Sequence, residues 1–352
     1  MSSPYPRFGI WSQVYGSWGS FHHPEEPPDA SWSRNRAQVV EAEALGYDCA
    51  LIAQHVFNPS GDSYDQLETW TATAALAAVT QRIELIAAIK PYLFHPVVFA
   101  KMAQQIEHIS AGRLALNVVN AWFKPEYQKL GLGFADHGER YAYGREWLTI
   151  VRTLLKGQRT SFKGQFFEVS GVQLLPADSY RSRPAIYSGG ESHQAQQLAA
   201  DFADLFFLNG QPVNDVANLV NSASAKKRLL HPPLRFGMAA FVIARPTTAE
   251  AQDALAYAWR IAERDRAEFN AVYSNADPQS TMWQTMNRTP QIGTNGGTAA
   301  GLVGSFDEVA ERIQQFHQIG IGTFLLQFQP FEANMRTFAH EVMPRVKRLL
   351  GR

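Results

Sequence analysis

His55 ends the segment Cys49-Ala50-Leu51-Ile52-Ala53-Gln54-His55, an apolar run closed by the one side chain whose ordinary pKa lies in the physiological range. If the run is a strand, the imidazole stands just past its C-terminal end, placed to act as a base or to hold an intermediate by hydrogen bonding. The alternative is a rim histidine that caps a loop. A second group is Ser188-Gly189-Gly190-Glu191-Ser192, which follows another apolar run and opens a helical stretch near His193. Glycines let backbone N–H groups approach a ligand, and free amides at a helix N-terminus favour a phosphate, although glycines also serve simply to turn a chain from strand to helix. The third group is His137-Gly138-Glu139-Arg140-Tyr141, with Asn117 and Glu126 upstream, the latter in Trp122-Phe123-Lys124-Pro125-Glu126-Tyr127. Amide, carboxylate and guanidinium together can hydrogen-bond a heteroaromatic ring. A structural ion pair between Glu126 and Arg140 would use two of the same residues.

Other chemistries lack their residue patterns. The 10 histidines include no His-x-His at a strand end and no His-Glu-x-x-His, so ligand spacing for zinc is absent and no metal is expected. There is neither a serine nucleophile elbow nor a phosphate-binding P-loop. The single cysteine, Cys49, excludes an internal disulfide and a thiolate cluster and reads as core packing. With 32 basic and 32 acidic residues the net charge is 0, which offers no electrostatic footprint for nucleic acid or an anionic membrane. The N-terminus has no apolar signal region and no run approaches about 18 apolar residues, so a cytoplasmic protein is expected.

The elements that must position these groups are legible as alternation. Apolar runs at 8–11, 49–53, 83–89, 114–119, 185–188, 205–208, 235–244 and 323–328 read as strands. Helical periodicity lies near 33–46, 67–79, 96–110, 138–156, 193–201, 213–228, 248–269 and 306–319. Capping boxes at Thr247/Glu250 and Ser305/Glu308, and Pro96 in a first turn, support three of the starts. This succession predicts a (β/α)₈ barrel in one domain spanning 1–352, with insertions near 12–32, 120–137, 157–184 and 273–303. Within them, 160–175 alternates about Lys163-Gly164 as a small hairpin, and 273–303 reads as a long mobile loop.

The order of these motifs resembles the bacterial-luciferase-like superfamily of flavin-dependent monooxygenases over nearly the whole chain. The marks are Leu85-Ile86-Ala87-Ala88-Ile89 with His95-Pro96, Ser110-Ala111-Gly112-Arg113 before Leu116-Asn117-Val118-Val119, the His137 to Tyr141 cluster, Ser188 to Ser192, and Gly301-Leu302-Val303-Gly304. Within the superfamily the chain is similar to the branch of alkanesulfonate, dimethylsulfone and pyrimidine monooxygenases. The resemblance implies a barrel that takes reduced FMN from a separate NAD(P)H-dependent flavin reductase and reacts it with O2, through a peroxyflavin, to oxygenate a small molecule. It implies assembly as a homodimer or homotetramer. It implies Asn117, Glu126, Arg140 and Tyr141 along the flavin, Gly190, Glu191 and Ser192 at the phosphate, and Ala87-Ala88 under the ring as a non-proline cis peptide. His55 becomes the catalytic base or stabiliser, and the glycine-rich loop before Gly304 a lid.

Departures from the alkanesulfonate pattern bear on substrate. Ala239 and Phe241 stand where those enzymes carry an arginine and a histidine, Asn295 stands for a lid arginine and Gln329 for a tyrosine. A sulfonate would lose its cationic partners, so a neutral substrate is expected, with C–S cleavage as in the dimethylsulfone enzymes one outcome. Trp11, Trp122, Phe241, Asn295 and Gln329 are its expected pocket. A deazaflavin-dependent dehydrogenase and a non-catalytic flavin-binding protein are the alternative readings of the same scaffold.

Overall fold

Eight parallel strands close into a barrel in the computed structural model, which describes residues 5–351 apart from 121, 178, 229–231, 268–269, 271–273 and 275–290. In chain order the strands are β1 (Arg7–Trp11), β2 (Cys49–Ile52), β3 (Glu84–Ile89), β4 (Leu114–Val118), β5 (Thr160–Lys163), β6 (Glu168–Val172), β7 (Ala185–Gly189), β8 (Leu205–Leu208), β9 (Arg235–Phe241), β10 (Ile243–Arg245), β11 (Val303–Ser305) and β12 (Ile321–Gln327). The barrel runs β1-β12-β9-β8-β7-β4-β3-β2. Every residue of β2, β4 and β8 is buried, the pattern of parallel strands whose outer face is covered by helices and whose inner face fills the barrel.

The helices are α1 (Trp32–Ala44), α2 (Thr69–Val79), α3 (Pro96–Ile109), α4 (Lys124–Lys129), α5 (His137–Leu155), α6 (His193–Phe202), α7 (Val213–Ser224), α8 (Thr248–Ala262), α9 (Phe306–Gln318), α10 (Phe331–Thr337) and α11 (Met343–Leu350). Both expected capping boxes form, at the starts of α8 and α9, and Pro96 occupies the first turn of α3 behind His95 as N-cap. The hairpin is the antiparallel pair β5-β6, closed by the Gly164 amide donating to the Phe167 carbonyl at 2.9 Å. None of the helices among the described residues is long and apolar enough to cross a membrane.

Three features differ from the expected pattern. The run 235–244 divides, because Val242 N donates to Gln327 O in the barrel while Ile243 N turns away to Leu302 O, so β10 leaves the barrel to pair with β11. The helical segment after β12 had no counterpart in the periodicity: α10 and α11 are separated by a π-helical turn at Phe338–Val342, which shifts the apolar stripe. Third, the described cis peptides fall at Leu175-Pro176 and Gln329-Pro330, so the Ala87-Ala88 bond is trans, contrary to expectation. The ladder explains it: Ala87 pairs with Ile52 and Leu116, and Ala88 with Asn117, in a register that runs unbroken through both residues.

Of the insertions, 120–137 contains α4. The expected long loop at 273–303 falls largely outside the described residues. Its described end, 291–303, is fastened to the barrel rim by Gly210 N donating to Asn295 O at 2.9 Å, Thr294 N to Gln327 Oε1 at 3.1 Å and Gln327 Nε2 to Thr294 Oγ1 at 3.0 Å. Asn295 sits at φ 53°, a left-handed conformation asparagine tolerates. Gly296 packs so closely that a Cβ would lie 1.9 Å from the Gly210 carbonyl oxygen.

Candidate active site

The C-terminal ends of the barrel strands open into a cavity of about 220 Å³. One wall is aromatic. Trp11 at the end of β1 meets Trp18 edge-on at 4.9 Å, Trp18 stacks on Tyr15 at 5.5 Å, and the Trp18 indole N–H donates to the Trp11 carbonyl at 3.0 Å. Tyr15 and Trp18 belong to the insertion after β1, which is tied down by Gln329: its amide donates to Ser17 Oγ at 2.9 Å and to Ser20 O at 2.7 Å, and accepts from Ser20 N at 2.8 Å. Gln329 therefore braces the wall and does not itself line the cavity, because three local partners already take up its amide. Phe241 is likewise not a lining residue. It is 1% exposed and packed with Ile243 and Ile292, while Ala239, two residues earlier on β9, faces the cavity.

At the mouth of β2 to β4 lies a buried ionisable group. His55 Nδ1 is 3.1 Å from Lys90 Nζ and 3.5 Å from Glu126 Oε1, and Lys90 Nζ bonds directly to Glu126 Oε2. The Val56 amide donates to Glu126 Oε1 at 2.7 Å, and the Lys90 amide to Gln54 Oε1 at 2.6 Å. Burial alone would raise Glu126, but its contact with His55 and the charge and hydrogen bond of Lys90 outweigh it and hold the carboxyl down at about 2. Burial and then the Lys90 charge lower His55, against the opposing pull of Glu126, so its imidazole is neutral at neutral pH. Lys90 is also lowered by burial, with Glu126 acting the other way. Glu126 thus takes Lys90 and His55 as partners and stands behind the imidazole. The Trp122 and Phe123 rings meet the imidazole edge-on at 5.6 and 6.4 Å.

Opposite, Gly189, Gly190, Glu191 and Ser192 line the cavity between β7 and α6. Ser192 caps α6 by accepting from Ala195 N at 3.2 Å and reaches the Tyr141 hydroxyl at 3.4 Å. Gly190 has φ 142°, and a Cβ there would stand 2.7 Å from the Ala195 Cβ, so only glycine fits. The Glu191 carboxylate turns to the protein, accepting from Asn209 N at 3.1 Å and Gln211 Nε2 at 2.7 Å. Asn117 lies on the cavity wall with its side-chain oxygen buried and without a hydrogen-bond partner.

The structure thus gathers Trp11, His55, Ala88, Asn117, Trp122, Tyr141, Gly190, Glu191, Ser192 and Asn295 around one space. Ala87 is buried in β3, and Arg140 sits one layer out, bonding Ala135 O at 2.6 Å and lying over the Phe134 ring at 4.2 Å. Sequence reasoning missed Lys90. Its signal was a lysine ending the apolar run 83–89 at the catalytic rim.

A model of the luciferase-like monooxygenases matches residues 12–323, which includes all the lining groups but Trp11 and Leu325. The chain belongs to the luciferase-like monooxygenase family. Among its relatives are FMNH2-dependent dimethylsulfone monooxygenases of Pseudomonas putida, 31% identical over 91% of this chain and 89% of that one, and of Pseudomonas fluorescens (strain Pf0-1), 30% identical over 99% and 96%. A long-chain alkane monooxygenase structure superposes with a TM-score of 0.81 at 18% identity, covering 99% of this chain and 92% of that one. In this luciferase-like barrel the polar groups converge on the C-terminal strand ends, and the aromatic wall comes from the insertion after β1.

Proposed function

We propose that this luciferase-like protein is a two-component FMNH2-dependent monooxygenase that oxygenates a small neutral organic molecule, a short dialkylsulfone being the favoured substrate. The reading is supported by the two relatives named for that activity and spanning nine-tenths or more of the chain, and their names favour it over a deazaflavin-dependent dehydrogenase. The observation that carries it is one cavity combining a glycine cradle at a helix N-terminus, an unpartnered buried Asn117 oxygen and an aromatic wall.

These residues fit FMN. Gly189, Gly190 and Ser192 at the start of α6 would hold the phosphate, and Asn117 would accept from the ring system, satisfying its orphaned oxygen. Reduced FMN with O2 supplies the oxygenating chemistry. The chain's part is to orient and to exclude water: the Trp11/Trp18 wall presents an apolar surface, and His55 offers a neutral imidazole at the rim. No arginine lines the cavity among the described residues, and Lys90 is neutralised by Glu126, which suits an uncharged substrate better than a sulfonate.

The reduced cofactor would come from an NAD(P)H-dependent flavin reductase in the cytoplasm, and the protein would assemble as a homodimer or homotetramer. The test is O2 uptake by the purified protein with FMN, NADH and an added reductase. Dimethylsulfone should stimulate uptake and yield formaldehyde and methanesulfinate, one oxygen atom entering a methyl C–H before the C–S bond breaks and the other leaving as water with the electrons of reduced FMN. His55→Ala should lower that rate roughly 100-fold or more. Absence of FMN binding together with no substrate-stimulated uptake would defeat the reading.

A further inference from the structure

We propose that Lys90 fixes the tautomer of His55, taking the Nδ1 lone pair and leaving the proton on Nε2, so that the imidazole serves the site as a hydrogen-bond donor and not as a base. A lysine ammonium has three donors and no acceptor, so a contact of 3.1 Å between Lys90 Nζ and His55 Nδ1 requires an unprotonated Nδ1. The competing arrangement puts a proton on Nδ1 and points it at Glu126 Oε1. That distance is 3.5 Å, and the same oxygen already accepts the Val56 amide at 2.7 Å. The other Glu126 oxygen binds Lys90, which favours the ammonium form against the opposing effect of burial and holds it in place.

Lys90, from the end of β3, and Glu126, from α4, are the charged groups that act on His55; Trp122 and Phe123 enclose the ring with apolar edges. The ammonium so close by opposes a second positive charge on the imidazole. A neutral ring with its proton on Nε2 is the form that stabilises an oxygen atom gaining negative charge. Lys90 is then a positioning residue, acting through His55. The donor's use in oxygen transfer rests on the monooxygenase reading; the tautomer does not.

The two parts are tested separately. Nitrogen-15 spectra of the full-length protein labelled at histidine, with His55→Gln identifying the signal, report which ring nitrogen carries the proton without any turnover. From about pH 6 to 8 the wild type should show Nδ1 bare and Nε2 protonated. Lys90→Met should move the proton to Nδ1, facing Glu126, and Lys90→Arg, another pure donor, should restore the wild-type signature. A wild-type spectrum with Nδ1 protonated overturns the proposal, and this measurement stands even if Lys90→Met does not fold. With a folded Lys90→Met, an unchanged tautomer also overturns it. For the catalytic consequence, substrate-dependent kcat at saturating reduced flavin should fall roughly 100-fold in Lys90→Met and largely recover in Lys90→Arg. A moved proton with unchanged kcat rejects the donor role while leaving the assigned tautomer intact. No substrate-stimulated rate in the wild type would instead count against the monooxygenase reading.

Discussion

At the β2 to β4 side of the cavity the polar groups are buried side chains that can carry charge, His55, Lys90 and Glu126, whereas at the β7 side they are glycine backbone, a capping serine and the amide end of α6, with the Glu191 carboxylate accepting from Asn209 and Gln211. The first side is pre-organised by electrostatics. Each member is held because the other two are present, and burial and then the Lys90 ammonium keep the imidazole neutral against the pull of the Glu126 carboxylate. The second side is pre-organised by sterics: Gly190 adopts φ 142° against Ala195, where any side chain would close the space. Removing charge should therefore break one side, and adding a methyl group the other.

The largest effect should come from Glu126→Leu, which leaves Lys90 buried without its carboxylate and the Val56 amide without an acceptor. We expect a loss of about 3–5 kcal/mol in denaturant-induced unfolding; a loss under about 1 kcal/mol would show that the trio is not tightly coupled. Acid should strain the same side reversibly. Glu126 is held at about 2 against an ordinary 4.5, and His55 lies below its ordinary 6.5. For both, the unfolded chain binds more protons as pH falls, so their contribution to stability is complete above the ordinary values. It declines as pH drops through 6.5 and then from 4.5 towards about 2. Unfolding midpoints across a pH series measure this, and a midpoint level down to about pH 4 contradicts it.

On the β7 side, Gly190→Ala should lower stability by about 1–3 kcal/mol and weaken FMN binding in a fluorescence titration. Tight FMN binding retained by a folded Gly190→Ala protein would show that the cradle has slack. Ser192→Ala removes the cap of α6 and a hydroxyl near Tyr141, so a stability loss of about 1 kcal/mol is expected, read from the thermal midpoint of the ligand-free protein. An effect as large as that of Glu126→Leu would erase the proposed contrast between the sides.

Much of the barrel was legible because each strand is a short apolar run and most of the helices announce themselves by period and cap. The C-terminal helices were not, since the π-helical turn at Phe338–Val342 breaks the repeat that a sequence pattern relies on. In the site, His55, Gly190 and Ser192 stand at strand ends and helix starts, positions a pattern can find. Phe241 and Gln329 enter the expected substrate pocket only through the family resemblance, yet both are taken up by neighbours far off in sequence, Phe241 by Ile292 and Gln329 by Ser17 and Ser20.

Cys49 divides the two sources: composition alone excludes an internal disulfide with one thiol, while the fold buries it in β2 and so pushes the thiol up to about 12. The sequence by itself determined the alternation of strands and helices, and with it which residues stand at the rim, because local periodicity and capping act over a few residues. Only the tertiary structure decided that Lys90 and Glu126, 36 positions apart, meet on either side of the interaction that governs His55. Protonation and tautomer depend on distances of a few ångströms between chain-distant groups, which become fixed when the barrel closes.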